Sequence, residues 1–138
     1  MTQETLPDIR KTLLLNAPIE KVWKAVATSD GISAWFMPNN FEPALGHEFH
    51  LEAGQFGKSP CKVTVIDPPN RLSFNWGKDW TLTFELVEQD GKTEFTLIHS
   101  GWTANQVTEF GQPHEAVRDH MSQGWEGIVQ KLGAYVER

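Results

Sequence analysis

Apolar and polar residues alternate through the middle of the chain, and this period of two constrains the fold more than any other feature. The clearest segments span residues 72–76, 80–86 and 95–99, and each places large apolar side chains on one face. A strand that is buried on one face shows this pattern. Short polar turns such as 67–70 and 89–92 separate the segments. We therefore expect neighbouring strands to run antiparallel.

Weaker alternation extends the predicted sheet. It occurs at residues 9–15, 49–53 and 61–66, which brings the expected number of strands to about six. In the last of these segments, Val63 and Val65 are both expected on the inner face, because residues two apart in a strand point to the same side.

The last part of the chain shows helical spacing instead. Its apolar stripe consists of Val117, Met121, Gly124, Trp125, Ile128, Leu132 and Tyr135. This stripe predicts one amphipathic helix of about twenty residues. Two short helices are expected after the first strand, one with Trp23 and one with Trp35 and Phe36. One long helix and one sheet must bury their apolar faces against each other, so the predicted fold class is α+β.

Composition and charge narrow the classes of function. The length of 138 residues predicts a single domain over residues 8–138, preceded by a flexible N-terminus at residues 1–7. The net charge of −6 and the scattered basic residues argue against a nucleic-acid partner. No apolar run is long enough for membrane insertion. With no signal peptide recognised and one cysteine, Cys61, we expect a cytoplasmic protein.

Aromatic residues are unusually frequent for a domain of this size. The sequence has 8 Phe, 6 Trp and 1 Tyr, and most of the Phe and Trp fall on faces predicted to point inward. Two interpretations remain open, an unusually aromatic core and a binding site for a flat apolar ligand. The second interpretation predicts ligand contacts from Trp35, Phe36, Phe49, Val63, Phe74, Trp76, Phe84, Phe95, His99, Met121, Trp125 and Ile128.

Titratable side chains offer little support for catalysis. His47 and His50 are three apart on a predicted strand, which sends them to opposite faces and makes them poor metal ligands. No serine-nucleophile, phosphate-loop or dinucleotide-loop motif occurs. His99 shares a face with Phe95 and Leu97. It is interpreted as a hydrogen-bonded core residue, a polar ligand contact or an acid–base group. We predict no catalytic residue, metal or cofactor.

Two glycines flank Trp125 on the predicted long helix. Gly124 and Gly127 each lower helix stability by roughly 1 kcal/mol relative to alanine. Glycine is retained where a neighbour approaches closely, so we expect the Trp23 helix or a ligand beside them. Because these glycines have no side chains, we also expect the Trp125 ring to line a cavity without being fully enclosed.

Several motifs along the chain resemble a known family. They are residues 16–23 (Asn-Ala-Pro-Ile-Glu-Lys-Val-Trp), Trp35-Phe36, residues 68–76 (Pro-Pro-Asn-Arg-Leu-Ser-Phe-Asn-Trp), residues 83–87, His99-Ser-Gly-Trp102 and Gly124-Trp-Glu-Gly127. In order and spacing the chain resembles the START-like, or SRPBCC, superfamily. Within it, the chain is similar to the C-terminal domain of activator of heat-shock-protein-90 ATPase homologues. The resemblance implies a helix-grip fold, a sheet curled around the C-terminal helix with a hydrophobic cavity between them.

Three functions follow from these observations and the resemblance. The leading hypothesis is a monomeric protein that holds a hydrophobic, aromatic or lipid-like small molecule in the cavity. The first alternative is a stress-related or chaperone-associated interaction protein. This alternative implies a chaperone as its partner. A cyclase-like or hydrolase-like enzyme using the same cavity is the second. The few inward polar groups favour a binding protein over an enzyme.

Overall fold

The computed structural model describes residues 6–52, 58–77, 80–102 and 114–137. The elements in chain order are β1 (Ile9–Leu15), α1 (Ile19–Val26), α2 (Ser29–Trp35), β2 (Glu48–Glu52), β3 (Lys58–Asp67), β4 (Arg71–Trp76), β5 (Trp80–Gln89), β6 (Lys92–Ser100) and α3 (His114–Val136). Their order confirms the predicted α+β class, with two short helices after the first strand and one long helix after the last.

Six strands form one antiparallel sheet in the order β1-β6-β5-β4-β3-β2. Consecutive strands from β2 to β6 are neighbours, as their short connections predict. The exception is β1, which lies beside β6, with Ile9 opposite His99 and Leu15 opposite Thr93. The first strand is therefore an edge strand that pairs with the last strand.

The inner face of the sheet is apolar, as the alternation predicts. Leu72, Phe74 and Trp76 of β4 are buried, and so are the alternate residues of β5 and β6. Val65 departs from the prediction, because 38% of it is exposed while Val63 is buried. The pairing of β3 with β4 shifts register between these two residues. Such a bulge adds one residue to a strand and turns the following side chains to the other face.

Helices α1 and α2 form a tight pair that holds Trp35 inside. The Thr28 hydroxyl caps α2 by accepting from the Gly31 backbone N–H at 3.0 Å. The Trp35 indole Nε1–H donates to the Ala25 carbonyl at 2.8 Å. A Cβ atom at Gly31 would overlap the carbonyl oxygens of Lys24 and Ala25, so only glycine allows this approach of the two helices.

Helix α3 has 23 residues, which makes it about 34 Å long. Its buried stripe consists of Trp125, Val129, Leu132 and Val136, while Val117, Met121, Ile128 and Tyr135 are half-buried. The two valines at 129 and 136 were missing from the predicted stripe. Among the described helices, none combines the length and apolarity needed to cross a membrane.

Polar contacts join α3 to the beginning of the chain. The Lys11 ammonium contacts the Glu126 carboxylate at 2.8 Å, and the Asn16 backbone N–H donates to the Glu137 carboxylate at 3.0 Å. The Arg118 guanidinium donates to the Pro7 carbonyl at 2.7 Å. These contacts are at the surface, so they contribute modestly to stability but fix α3 along β1.

The prediction for Gly124 and Gly127 is wrong. Both residues are exposed, and a Cβ atom built on either would meet no atom within 4 Å. They lie on the solvent side of α3, because the neighbouring Trp125 occupies the inner side of the same turn. No close approach in the described structure requires glycine at these two positions.

We expect Gly124→Ala and Gly127→Ala each to raise the free energy of unfolding by about 0.5–1 kcal/mol. Alanine restricts the unfolded chain and meets no obstacle in the folded helix. Urea denaturation at constant pH measures the change. Gly31→Ala is the matched control, and it should lower stability because its Cβ overlaps backbone. Destabilisation by Gly124→Ala would mean that another surface covers this side of α3.

Candidate functional site

Aromatic rings between the sheet and the helices form one connected set of contacts. It contains most of the residues predicted to contact a ligand, namely Trp35, Phe36, Phe49, Phe74, Trp76, Phe84, Phe95, His99 and Trp125. All but Phe36 are buried. The structure therefore brings the predicted residues together, while their contact with a ligand stays a prediction.

One part of the set is a row of phenylalanines on the sheet. Phe49 and Phe74 have ring centroids 5.1 Å apart, and Phe74 and Phe84 are 6.0 Å apart. Phe95 continues the row at 5.8 Å from Phe84. Trp35 of α2 packs edge-on against Phe84 at 5.6 Å. Three of these four pairs meet edge to face, a geometry that aromatic pairs prefer, so this part is a well-packed core.

The other part surrounds His99 and is called the His99 cluster below. Four indole rings enclose the imidazole, with centroids 5.3 Å away for Trp76, 4.9 Å for Trp80, 4.7 Å for Trp102 and 6.0 Å for Trp125. His99 is completely buried. Its neighbours come from two strands, the segment after β6 and α3, so the cluster is where the sheet and the long helix meet.

Trp80 and Trp102 were absent from the predicted ligand contacts. The alternation of β5 already placed Trp80 on the inner face, opposite Trp76 in the register of β4 and β5. The alternation of apolar residues gave no placement for Trp102, because this residue follows the end of β6. Gly101 adopts a positive φ of 100°, a conformation that glycine tolerates. The chain turns there, and the Trp102 indole Nε1–H donates back to the His99 carbonyl at 3.0 Å.

A side-chain hydrogen bond fixes the imidazole of His99. The Trp125 indole Nε1–H donates to His99 Nδ1 at 3.1 Å. An indole nitrogen can only donate, so Nδ1 is the acceptor and the neutral ring carries its hydrogen on Nε2. Burial lowers the pKa of His99 from 6.5 to about 3, because the charged form loses its solvation by water.

Phe36 brings the aromatic set toward the surface. It follows the last residue of α2, and its ring lies 5.6 Å from Trp76 and 5.1 Å from Trp125. It is half-buried, as are Met121 and Ile128 on α3. These three residues pack against the core while keeping part of their surface in water. These half-buried residues of α3 and of the segment after α2 therefore lie between the buried aromatic rings and the solvent. They are called the boundary residues below.

The one remaining predicted contact, Val63, lies on the inner face of the sheet. Val63 is buried opposite Phe74 in the register of β3 and β4. Trp125 is only 1% exposed, so the expectation of a partly open ring is wrong. Its flanking glycines face solvent, and its ring is enclosed by Phe36, Trp76 and His99.

A separate polar pocket lies elsewhere, at the edge of the sheet. Its volume is about 200 Å³, and it is lined by Asn39, Asn40, His50, Glu52 and Lys58. None of the predicted ligand contacts belongs to it. Among the described residues, no group of three or more histidine, cysteine, aspartate or glutamate side chains could hold a metal ion.

Comparison with known proteins identifies the family of the fold. The family model of activator of Hsp90 ATPase homolog 1-like protein matches residues 16–137. No curated protein sequence matches the chain. The solution structure of protein BH1534 from Bacillus halodurans is similar, with 45% sequence identity and a TM-score of 0.87, over 99% of this chain and 100% of that one.

Two further solved structures share the fold at lower identity. Protein MLL2253 from Mesorhizobium loti has 25% identity and a TM-score of 0.79, over 92% of this chain and 94% of its own. The Aha1 dimer from Colwellia psychrerythraea has 19% identity and a TM-score of 0.77, over 96% of this chain and 97% of its own. These similarities agree with the helix-grip architecture expected from the sequence.

The buried neutral His99 makes stability depend on pH. The unfolded chain binds a proton near pH 6.5, whereas the folded protein binds it only near pH 3. Acid therefore favours unfolding. The contribution of neutral His99 to the free energy of unfolding is complete above pH 6.5, and it is lost progressively as the pH falls to about 3. We expect the free energy of unfolding to fall by on the order of 1–2 kcal/mol between pH 6.5 and pH 5.

Urea denaturation across this interval measures the fall, at pH values where carboxylates still titrate little. His50→Gln is the control, because His50 is exposed, and this variant should keep the dependence. His99→Gln should lose it. In the parent protein, the ¹⁵N shifts of the His99 ring should remain those of the neutral form at pH 5. A charged ring at that pH would contradict the prediction.

Proposed function

Because the chain belongs to the family of activator of Hsp90 ATPase homolog 1-like proteins, we propose a function in binding a small hydrophobic molecule. The ligand is aromatic or lipid-like and is held between the inner face of the sheet and α3. The functional unit in this proposal is the single domain at residues 8–138. The continuous family match over residues 16–137 supports that unit.

One observation carries the proposal: the aromatic interior reaches the surface at Phe36. The Phe36 ring contacts the buried Trp76 and Trp125, yet it remains half-buried itself. A ligand that displaces water from this boundary gains contact with rings already ordered by the fold. Pre-formed apolar walls with few polar groups are typical of small-molecule sites.

The side chains of α3 suit such a ligand. Met121 and Ile128 are half-buried on either side of Trp125. A methionine side chain has several rotatable bonds and a polarizable sulfur, so it adapts to ligands of different shape. An apolar molecule seated against these two residues would bury the surface that the core leaves exposed.

Binding is favoured over catalysis by the state of His99. Its pKa of about 3 leaves the imidazole neutral near pH 7, and its Nδ1 is already occupied by Trp125. A general base works best when its pKa lies near the working pH. We therefore propose His99 as a contact that orients the ligand and not as a group that transfers protons.

We expect 2-acetylnaphthalene, an aromatic probe, to quench tryptophan fluorescence on binding. It should also shift backbone NMR signals on both α3 and the inner face of β4 to β6. Dodecanol, titrated in the same way, tests the lipid-like class. Shifts confined to the outer face of the sheet, or to the polar pocket around Asn40, would contradict the proposed site.

A matched pair of variants separates ligand contact from general stability. Ile128→Ala should weaken binding of 2-acetylnaphthalene about fivefold, because it removes part of the proposed apolar wall. Ile66→Ala is the control. Ile66 is also half-buried and packs against the core, but it lies opposite Leu72, at the other end of β3 and β4 from Trp76. The control should lower stability to a similar extent without weakening binding, and equal loss of affinity in both variants would count against the site.

A further inference from the structure

Two buried N–H groups of the His99 cluster have no acceptor. They are Nε2 of His99 and Nε1 of Trp80, and neither has a hydrogen-bond partner in the described structure. His99 is completely buried and Trp80 is 8% exposed. Their ring centroids lie 4.9 Å apart, so both donors belong to one small region. Native proteins pair most of their buried donors, so two unpaired ones this close require an explanation.

The surrounding rings do not replace a true acceptor. The indole faces of the cluster offer N–H···π contacts, which are much weaker than a hydrogen bond to oxygen. The orientation of His99 cannot solve the problem either. Its Nδ1 accepts from Trp125, so a ring flip would put a carbon in place of this acceptor and leave the Trp125 N–H unpaired. The other tautomer, with its hydrogen on Nδ1, would place two donors against each other. The imidazole is therefore held with a hydrogen-bond donor directed away from Trp125.

We propose that the ligand of this protein carries a neutral oxygen acceptor, such as a ketone or ester carbonyl, that is bound by His99 Nε2–H and Trp80 Nε1–H. The inference rests on the proposed function, since it assigns the polar part of the same interior site. The aromatic rings recognise the apolar body of the ligand, and these two donors recognise its oxygen.

Charge considerations favour a neutral acceptor. The buried polar residues of the described structure are Ser59, Ser73, Thr83, Thr93, Thr96 and His99, and none carries a charge when His99 is neutral. A carboxylate placed here would lose its hydration without meeting a positive partner. An ammonium group would bring further donors to a site that already has two without an acceptor. A carbonyl oxygen has two lone pairs and no charge, so it satisfies both donors at the lowest desolvation cost.

A matched pair of ligands tests the inference on the intact protein. The probes are 2-acetylnaphthalene and 2-isopropenylnaphthalene, which have nearly the same shape but differ in C=O against C=CH₂. We expect the ketone to bind at least about tenfold more tightly, which corresponds to about 1.4 kcal/mol. In ¹H–¹⁵N spectra, the Trp80 indole N–H signal should move downfield with the ketone and not with the alkene. The Trp125 indole N–H already donates to His99 Nδ1, so its signal should change little between the two ligands.

Variants then assign the preference to the donors. Trp80→Phe keeps an aromatic ring but removes one N–H, so it should reduce the ketone preference several-fold. Trp102→Phe is the matched control, because it makes the same change of ring in the same cluster. The Trp102 N–H donates to the His99 carbonyl, so its loss leaves both unpaired donors in place. The control should alter the affinities for the two probes by the same factor and keep their ratio.

The outcomes separate this inference from the proposed function. Equal affinity for the two probes, with NMR shifts on α3 and the inner sheet, would overturn the inference and leave the proposed function standing. A trapped water that permanently satisfies the donors predicts that result. Binding of neither probe to the interior would overturn both. If Trp80→Phe fails to fold, the affinity ratio and the Trp80 N–H shift in the parent protein still decide the question.

Discussion

The hydrogen bond from Trp125 to His99 joins the long helix to the inner face of the sheet. It buries one donor and one acceptor against each other, in a region where either would be costly if left unpaired. The bond sets the tautomer of the imidazole and holds its plane against Trp76. It also ties the middle of α3 to β6. The position of Phe36, which packs on Trp125 and Trp76, depends on the same contact.

The aromatic interior serves as the hydrophobic core and as the proposed binding surface. Replacing a fully buried ring such as Phe84 would remove core contacts as well as any contact with the proposed ligand. The half-buried residues at the boundary, Phe36, Met121 and Ile128, are less constrained. We therefore expect these three boundary residues to tolerate substitution better than the fully buried rings. The His99 cluster, where several rings depend on one another, tolerates change least.

Periodicity in the sequence predicted the fold well, because each face of a strand or helix is buried by the same rule along its whole length. The inner faces of β4, β5 and β6 follow directly from alternate residues such as Phe74 and Phe84. The exposure of Val65 was not predictable in this way, since a β-bulge interrupts the register without a change in hydrophobic pattern. The resemblance to a known family added the curvature of the sheet around α3, which periodicity does not contain.

The candidate site was predicted less completely. His99 and its aromatic neighbours on the same strand face were identified, but Trp102 was missed because a turn at Gly101, and no periodic pattern, brings it inside. Gly124 and Gly127 were assigned a packing role that the exposed surface of α3 does not support. Which two donors remain unpaired depends on ring orientations. Those orientations arise only when four elements meet, so local sequence does not encode them.

The position of β1 at the edge beside β6 sets the order in which the molecule can be assembled. Thr12 and Thr96 meet across a sequence separation of 84 residues, and Lys11 and Glu126 across 115. During synthesis the first strand leaves the ribosome long before either partner exists. Contacts this distant in sequence slow folding, because a large loop must close before they form. Strand β6 has β1 on one edge and β5 on the other, and α3 follows it in the chain. The apolar interior is therefore complete only when α3 has formed.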